Sequence, residues 1–245
     1  MGCLHNKVTV ITGASSGIGK AIAEKFAAHG ANVVLSGRNR NQLESVAKGI
    51  IERGGRAAIF CADVAQRQEV DALFEFTVKE FGRVDILVNS AGYGLYKKFM
   101  DMAPDEIDSQ IAVNVNGLCN TTYAALKYML EQHSGRMINI GSIASLRPCA
   151  NYSIYSTVKH AVYGFSRAIY EEYRAEGIRV NVLCPASVIT NFYHVAGIKE
   201  PPYPPEQQIQ PEDVAEAALY CASAPDTINI ESITMWPVCQ DTLYR

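Results

Sequence analysis

The chain has 245 residues, which fits one domain, because compact single domains reach roughly 250 residues before the core usually divides. Apolar residues make up 48% and charged residues 19%, so a full core can be buried and extended disorder is excluded. The net charge of -3 gives no broad positive field, which argues against nucleic acid and membrane surfaces as partners. No apolar run approaches the roughly 18 residues of a membrane-spanning helix.

The cysteines are scattered and odd in number, and they include no C-x-x-C pair and no metal-ligand spacing. We therefore expect buried free thiols in a reducing compartment, and no metal site. The N-terminus leads into an apolar run by Lys7 and leaves no room for a secretory signal. The sequence thus predicts a cytoplasmic protein.

Apolar, β-branched runs alternate with amphipathic helical patterns along the whole chain. Strands are predicted at residues 7–11, 31–35, 57–61, 84–88, 137–140, 179–183 and about 228–235. Helices are predicted from about residue 18 and at 42–53, 70–81, 104–131, 153–175 and 211–221. Because crossovers within one sheet are right-handed, this order predicts a single-domain α/β fold, a doubly wound three-layer sandwich around a seven-stranded parallel sheet. Ligands are expected at the carboxyl ends of the strands.

Residues 191–210 interrupt the alternation. Four prolines between positions 201 and 205 oppose a regular helix, while Tyr193, Ile198 and Tyr203 make the segment too apolar for an idle linker. We interpret the segment as a lid over a substrate, with an ordinary surface insertion as the alternative.

The segment after the first strand has the composition of a phosphate-binding turn. Gly13 permits a sharp turn, Gly17 lets the backbone approach a pyrophosphate, and Gly19 lets helix and strand pack closely. The free N–H groups at the helix start favour negative charge. The predicted contacts in this turn are Gly13, Ser15, Ser16, Gly17, Ile18 and Gly19.

The end of the second strand indicates which dinucleotide binds. Where an NAD site normally has a carboxylate for the ribose hydroxyls, this chain has Gly37 followed by Arg38. A guanidinium can pair with a 2′-phosphate, so the predicted cofactor is NADP(H). Arg40 either assists or opens the next helix. Asp63, after the third strand, either accepts from the adenine amino group or caps the following helix.

Tyr155 and Lys159 stand at i and i+4, so both side chains project from one helix face, and Ser142 ends the preceding strand. A tyrosine has an ordinary pKa of about 10, and a nearby ammonium favours the phenolate. We expect Lys159 to lower the pKa of Tyr155. The Y-x-x-x-K pattern alone is common, but its position after a serine-ended strand favours an acid–base site.

These features together resemble the short-chain dehydrogenase/reductase family, in its compact branch of about 250 residues, from the first strand to the last. The order and spacing of the matching stretches make the resemblance specific. They are residues 12–19, Asp63-Val64, Asn89-Ser90-Ala91-Gly92, the Asn114 segment, residues 139–142, 155–159 and 185–190.

The resemblance implies a Rossmann-like fold and a catalytic tetrad of Asn114, Ser142, Tyr155 and Lys159. Asn114 would kink its helix and hold a water leading to Lys159, which would also bind the nicotinamide ribose. Ser142 would hydrogen-bond the substrate oxygen and Tyr155 would exchange a proton with it. Further implied cofactor contacts are Val64, Asn89, Ala91, Gly92, Pro185, Val188 and Thr190, with Val188 and Thr190 at the carboxamide.

Two positions depart from the family pattern. Ser90 stands where a second asparagine is usual, and Ala186 stands where a glycine usually follows the proline. We expect Ser90 to change local hydrogen bonding and Ala186 to narrow the nicotinamide pocket slightly. Neither position belongs to the tetrad.

The predicted function is NADP(H)-dependent interconversion of a carbonyl and a secondary alcohol by hydride transfer. The alternatives are an NAD-dependent alcohol dehydrogenase of the same fold and an NADP-binding regulator without catalysis. The family resemblance also implies a homodimer or homotetramer formed through the helices starting near Pro104 and Ser153, and the apolar tail 236–240 can pack on a neighbouring subunit.

The substrate itself is predicted only by class, as a medium-sized ketone or a cyclic carbonyl. Arg147 either meets an anionic substrate group or is a solvated loop residue. The expected pocket wall consists of Tyr93, Tyr96, Leu146, Cys149, Tyr152, Phe192 and Tyr193, each of which can instead be ordinary packing.

Overall fold

A computed structural model describes residues 2–200 and 203–240. Seven parallel strands form one sheet in the order β3-β2-β1-β4-β5-β6-β7, which confirms the predicted doubly wound architecture. Sequential strands move outward in both directions from β1 and β4, and a crevice opens between these two where the winding reverses. The strands are β1 Val8–Thr12, β2 Asn32–Gly37, β3 Arg56–Cys61, β4 Ile86–Asn89, β5 Gly135–Ile140, β6 Ile178–Pro185 and β7 Ser232–Met235.

Helices cover both faces of the sheet. Successive side chains of a strand point to opposite faces, so neighbouring residues pack against different helix layers. Val10 packs into one apolar cluster and its neighbour Ile11 into the other, and Val34 and Leu35 divide in the same way. One cluster includes residues of α1, α2 and α8, and the other includes residues of α3 and α5. The helices are α1 Gly17–Ala28, α2 Arg40–Glu52, α3 Arg67–Phe81, α4 Pro104–Ile111, α5 Gly117–Glu131, α6 Ser153–Tyr173, α7 Phe192–Val195 and α8 Pro211–Ser223.

The helix expected at residues 104–131 is not continuous. A π-helical turn, Ala112–Asn116, separates α4 from α5. Within it the Asn114 amide donates to the Gln110 carbonyl at 2.9 Å and to the Tyr93 carbonyl at 2.9 Å. A side chain that bonds backbone carbonyls competes with the regular helical ladder, and such turns are frequent at functional sites.

Other differences from the predicted elements are small. The last strand is confined to Ser232–Met235 instead of reaching back to residue 228. Arg40 is the first residue of α2 and pairs with Glu44, as expected of a residue that opens the helix. All seven cysteines are free, as expected. The expectation of burial is confirmed for Cys184 and Cys221 and is wrong for Cys3 and Cys239, which are exposed, while the other three are half-buried.

No helix among residues 2–200 and 203–240 is both long and apolar enough to cross the bilayer. In the same residues, no group of three or more His, Cys, Asp and Glu side chains is arranged to hold a metal ion.

Residues 191–200 and 203–210 lie at the carboxyl edge of the sheet, where the bridge between Val188 and Ile209 joins them to it. Within these two described ranges the regular structure is one short helix, α7, and one 3-10 turn, Pro205–Gln207. Two of the four prolines, Pro201 and Pro202, lie outside the described residues.

Candidate active site

A cleft of about 1420 Å³ runs along the carboxyl ends of the strands. This volume exceeds that of most drug-sized ligand sites, which measure about 300–1,000 Å³, and leaves room for two ligands side by side. Among the predicted site residues, the cleft is lined by Gly13, Ser15, Ser16, Gly17, Ile18, Arg38, Asp63, Val64, Ala91, Gly92, Ser142, Tyr155, Lys159, Pro185, Val188 and Thr190. Gly19, Asn89 and Asn114 lie behind this lining.

The turn after β1 has the geometry expected for a dinucleotide. Gly13 and Gly17 have positive φ values of 65° and 54°, a region that side chains rarely adopt. An added Cβ at Gly13 would lie 2.8 Å from the Ala91 nitrogen, and at Gly19 it would overlap the Gly13 carbonyl. The glycines therefore let the turn pack against the loop after β4 and let α1 sit close to its strand.

The start of α1 offers unsatisfied backbone donors to the cleft. Ser16 occupies the N-cap position in an extended conformation, and its side chain makes no capping hydrogen bond. The first N–H groups of a helix have no partner within the helix and attract anions. This end of the cleft therefore suits a pyrophosphate.

Arg38 lies at the edge of the cleft beyond β2, where Gly37 approaches Ser15. Its side chain is exposed and forms no ion pair or hydrogen bond with any residue that the structure describes. An unengaged guanidinium beside the phosphate-binding turn fits a 2′-phosphate.

Asp63 has a local role that the sequence left open. One of its carboxylate oxygens accepts from the Ala65 N–H at 3.0 Å, and its own N–H donates to Glu69 at 2.8 Å. The N-cap position of α3 belongs to Gln66, so Asp63 forms the turn before the helix and does not cap it. Asp63 and Val64 still line the cleft.

The end of β4 is tied to β1 by Thr12, whose hydroxyl accepts from the N–H groups of Ser90 and Ala91, both at 3.2 Å. The Asn89 side chain points into the interior, where its amide donates to Asn139 at 2.9 Å and its oxygen accepts from Thr121 at 2.7 Å. These bonds fix the loop that follows β4 against the phosphate-binding turn.

Ser142, Tyr155 and Lys159 meet at the middle of the cleft. Ser142 follows β5, and its hydroxyl accepts from the Ala144 N–H at 3.1 Å, which starts a 3-10 turn. The Tyr155 phenol lies close enough to the Ser142 hydroxyl for that group to favour its ionised form and lower its pKa. The Lys159 ammonium donates to the Ile140 carbonyl at 2.8 Å and lies 5.7 Å from the centre of the Tyr155 ring.

Burial dominates the acid–base properties of this group. Burial of the phenol raises the pKa of Tyr155 to about 12, against the opposing effect of the Ser142 hydrogen bond. Burial of the ammonium lowers the pKa of Lys159 to about 8. The expectation that Lys159 would bring the Tyr155 pKa below its ordinary value is therefore wrong, because desolvation of the phenol has the largest effect on this pKa.

Asn114 and Lys159 share a small cavity behind the cleft. Its volume of about 10 Å³ is close to the lower limit for a single water. The Asn114 Oδ1 atom is buried and has no hydrogen-bond partner among the described residues. A buried oxygen of this kind accepts a hydrogen bond readily, so a water between Asn114 and Lys159 would satisfy it.

The far end of the cleft is walled by aromatic side chains. Of the residues expected there, Leu146 does not line the cleft and is 43% exposed, because it ends the 3-10 turn facing away. Arg147 also turns away and lies over the Trp236 ring at 5.8 Å. The expected residues that do line it are Tyr93, Tyr96, Cys149, Tyr152, Phe192 and Tyr193.

Several lining residues were not anticipated from the sequence. They come from loops and from α4, α7 and the tail, and no motif marks them. Only Val113, beside Asn114, was signalled by its neighbour. These residues are Ser109, Val113, Pro148, Val195, Ile198, Glu200 and Gln240.

Comparisons with known proteins agree with this geometry. The sequence profile described as short chain dehydrogenase matches residues 7–200. An uncharacterised oxidoreductase of Staphylococcus aureus strain MRSA252 is 39% identical over 241 residues, covering 97% of this chain and all of the relative. An uncharacterised oxidoreductase of Staphylococcus epidermidis is 32% identical over 238 residues, with the same coverage.

Solved structures give the same result at the level of the fold. An alcohol dehydrogenase from the archaeon Thermococcus sibiricus, complexed with 5-hydroxy-NADP, has a TM-score of 0.89 and 29% identity, covering 97% of this chain and 99% of its own. A variant of actinorhodin polyketide ketoreductase with NADPH has a TM-score of 0.86 and 29% identity, covering 94% and 96%. With the profile match and the Staphylococcus relatives, they establish that this chain belongs to the short chain dehydrogenase family of oxidoreductases.

Proposed function

We propose that the protein uses NADP(H) to interconvert a ketone and a secondary alcohol, with Tyr155 as the acid–base catalyst. The observation that carries the proposal is that Ser142, Tyr155 and Lys159 line the middle of one cleft that begins at a phosphate-binding turn, with the Lys159 ammonium 5.7 Å from the Tyr155 ring centre. Two neighbours whose names include alcohol dehydrogenase and ketoreductase support the reaction class.

The chain's own residues would act on the substrate oxygen. NADPH, when bound, supplies a hydride from its nicotinamide ring. Ser142 donates a hydrogen bond to the carbonyl oxygen, and Tyr155 gives that oxygen a proton as negative charge develops on it. A phenol with a pKa of about 12 is protonated at neutral pH, which suits the acid required for reduction.

Lys159 and Asn114 would restore the proton. At pH values below its pKa of about 8, the Lys159 amine is charged. The charged amine stabilises a phenolate once Tyr155 has lost its proton. A water in the small cavity between Lys159 and Asn114 would continue the path away from the cleft. Reduction is the direction expected in a cell, where NADP is held mostly reduced.

The preference for NADP(H) rests on Arg38. Within the described residues, Arg38 is the cation at the adenosine end of the cleft that forms no ion pair. Its position is not occupied by a carboxylate, which would repel a phosphate. Structural neighbours include several with NADP or NADPH bound. The NAD-dependent alternative would need a different ribose contact at this position.

Residues 191–210 are proposed to form the lid of a single catalytic domain. Phe192 contacts the Tyr155 ring with a centroid separation of 5.2 Å, and the Ala196 carbonyl accepts from the Tyr96 N–H at 2.9 Å. Both contacts join the segment to the cleft wall. A surface insertion without function would not need them.

Replacing the catalytic phenol is the direct test of the mechanism. Tyr155→Phe is expected to lower kcat by about 10²-fold or more, because the proton donor is lost. NADPH binding, measured by fluorescence titration, is expected to remain. Tyr163→Phe, on the same helix but bonded to Glu231 outside the cleft, serves as the matched control and should keep full activity. Full turnover by Tyr155→Phe on every reducible carbonyl would exclude the mechanism, and cofactor binding without turnover in the parent would favour the regulator.

A charge reversal at Arg38 tests the cofactor assignment. Arg38→Asp is expected to shift the ratio of NADPH to NADH affinity by about 10- to 100-fold towards NADH. This fold-change is expected because the substitution removes a charge-assisted hydrogen bond to the 2′-phosphate and puts a repelling carboxylate in its place. Arg40→Asp, two residues away at the start of α2, provides the control and should leave the ratio near its parent value. An unchanged ratio in Arg38→Asp would contradict the assignment.

The buried amine predicts a pH-dependent stability. The folded Lys159 has a pKa of about 8, below its ordinary 10.5, so between these values the unfolded chain binds more protons and stability rises with pH. Lys159→Met should lack this rise, whereas Lys48→Met on the exposed face of α2 should retain it. Urea unfolding of all three proteins from about pH 7 to pH 9.5 measures the difference, and parallel curves for Lys159→Met and the parent would refute it.

We also propose a homodimer or homotetramer that assembles through α4, α5 and α6. Tyr123 on α5 is 54% exposed and lies beside Arg67 and Lys127, and aromatic side chains are enriched at protein interfaces. Light scattering at micromolar concentration should give a mass of two or four chains, and a monomer would reject the proposal.

The free thiols are consistent with a proposed cytoplasmic location, which fractionation of cells would test.

A further inference from the structure

The substrate end of the cleft contains an unbroken row of aromatic rings. Ring centroids are 4.9 Å apart between Tyr96 and Tyr152, 5.3 Å between Tyr152 and Tyr155, and 5.2 Å between Tyr155 and Phe192. Tyr193 continues the row at 6.1 Å from Phe192. Separations of 4.5–7 Å are those of interacting aromatic pairs. The proposed proton donor is therefore one member of a larger aromatic surface.

Three hydroxyl groups around this surface are bonded to protein atoms. Tyr93 donates to Ser109 at 2.7 Å, and the Tyr96 oxygen accepts from the Asn151 amide at 3.0 Å. Tyr193 hydrogen-bonds Ser187 at 2.5 Å. The Tyr152 hydroxyl has no hydrogen-bond partner among the described residues. The wall therefore offers a substrate mostly ring surface, with the Tyr152 hydroxyl as an available polar group.

Positive charge is absent from this end in the part of the chain that the structure describes. The charged residues lining the cleft are Arg38, Asp63, Lys159 and Glu200. Arg38 follows β2, which is three strands away from β5 and hence about 14 Å to the side at the usual strand spacing. Lys159 is bonded to the Ile140 carbonyl.

The basic side chains nearest this end are directed elsewhere. Arg147 lies over Trp236, and Lys97 forms an ion pair with Glu106. The charged residue that lines the cleft beside the lid is Glu200, an exposed side chain that carries a carboxylate. An anionic substrate would meet this carboxylate and would lose its hydration without gaining a partner.

We propose that the substrate is an uncharged aryl ketone or fused-ring ketone, and that the site discriminates against carboxylates. This inference rests on the proposed carbonyl reduction and names its substrate class. An aryl ring packed on Tyr152 or Phe192 lies one ring away from Tyr155, so its attached carbonyl comes within reach of the Tyr155 and Ser142 hydroxyls. Tyr152 and Phe192 are thereby assigned as specificity-determining residues.

Three methyl ketones matched in size test the proposal on the purified full-length protein with NADPH. They are methyl phenyl ketone, its para-carboxylate, and the linear methyl hexyl ketone, which has the same number of carbons as methyl phenyl ketone. We expect kcat/KM for methyl phenyl ketone to exceed that of each other ketone by about 10-fold or more. The linear ketone loses the ring contacts with the aromatic wall, and the para-carboxylate brings a charge that finds no partner.

The outcomes distinguish a wrong substrate class from a wrong reaction. Reduction of all three ketones with similar kcat/KM, or a preference for the carboxylate or the linear ketone, would overturn the substrate class and leave the proposed reaction intact. Reduction of none of them, nor of a fused-ring aryl ketone, by a protein that binds NADPH would overturn both the reaction and the substrate class.

Variants of the aromatic wall provide an independent measurement. Tyr152→Leu and Phe192→Leu are each expected to lower the ratio of kcat/KM for the aryl ketone to that for the linear ketone by about 2- to 10-fold. Tyr220→Leu, on the exposed face of α8, makes the same kind of replacement outside the cleft and should leave the ratio unchanged. Two variants are used because either alone can lose stability. An unchanged ratio in a folded Tyr152→Leu and Phe192→Leu would refute the assignment of specificity.

Replacing Glu200 by a neutral residue tests whether its charge contributes to the discrimination against carboxylate substrates. Glu200→Gln is expected to raise kcat/KM for the para-carboxylate by a few fold at low salt, with the effect falling as ionic strength rises, and to leave methyl phenyl ketone unaffected. An equal effect on both ketones, or none on the carboxylate, would contradict the role of Glu200.

Discussion

The hydrogen bond from the buried Lys159 ammonium to the Ile140 carbonyl organises the centre of this protein. It joins α6 to the last residue of β5, and Ser142 stands two positions beyond that carbonyl. Tyr155 lies one helical turn before Lys159, so the same anchor brings the phenol to the serine hydroxyl. The candidate catalytic group is thus built from one helix and from the short turn that directly follows a strand, so regular elements fix most of its geometry.

The same burial that provides this anchor sets its electrostatics. Desolvation moves the pKa of Tyr155 up and that of Lys159 down, which brings both groups closer to their neutral forms. A neutral phenol is the form that can donate a proton, whereas a charged amine is required afterwards to stabilise the phenolate. Both shifts suit the proposed reduction, in which Tyr155 would begin as a neutral phenol and a charged Lys159 would stabilise the phenolate formed from it. In the same proposal, the unpaired Oδ1 of Asn114 would hold a water in the small cavity beside Lys159.

The sequence predicted the sheet, its layers and the chemical core because these follow from periodicity and fixed spacing. Val10 and Ile11 pack on opposite faces as strand alternation requires, and Ser142, Tyr155 and Lys159 meet as their separation indicated. Features that depend on distant contacts were missed. The family resemblance implied a kink at Asn114, but the π-helical form of that kink depends on the Tyr93 carbonyl from another loop. The pKa of Tyr155 depends on its burial in the folded chain. A local sequence pattern records neither.

The substrate end differs because three loops that carry no motif build it and are held together by hydrogen bonds between them. The Tyr96 N–H donates to the Ala196 carbonyl at 2.9 Å, and the Lys97 N–H donates to the Asn151 carbonyl at 2.9 Å. Asn151 adopts a φ of +63°, a conformation that asparagine tolerates better than most residues, and its amide also reaches Tyr96. A rigid sheet edge can therefore carry one reaction while the loop contacts select its substrate. This division explains why the family resemblance implied a reaction class, whereas the row of rings and the positions of the nearby charges required the folded chain.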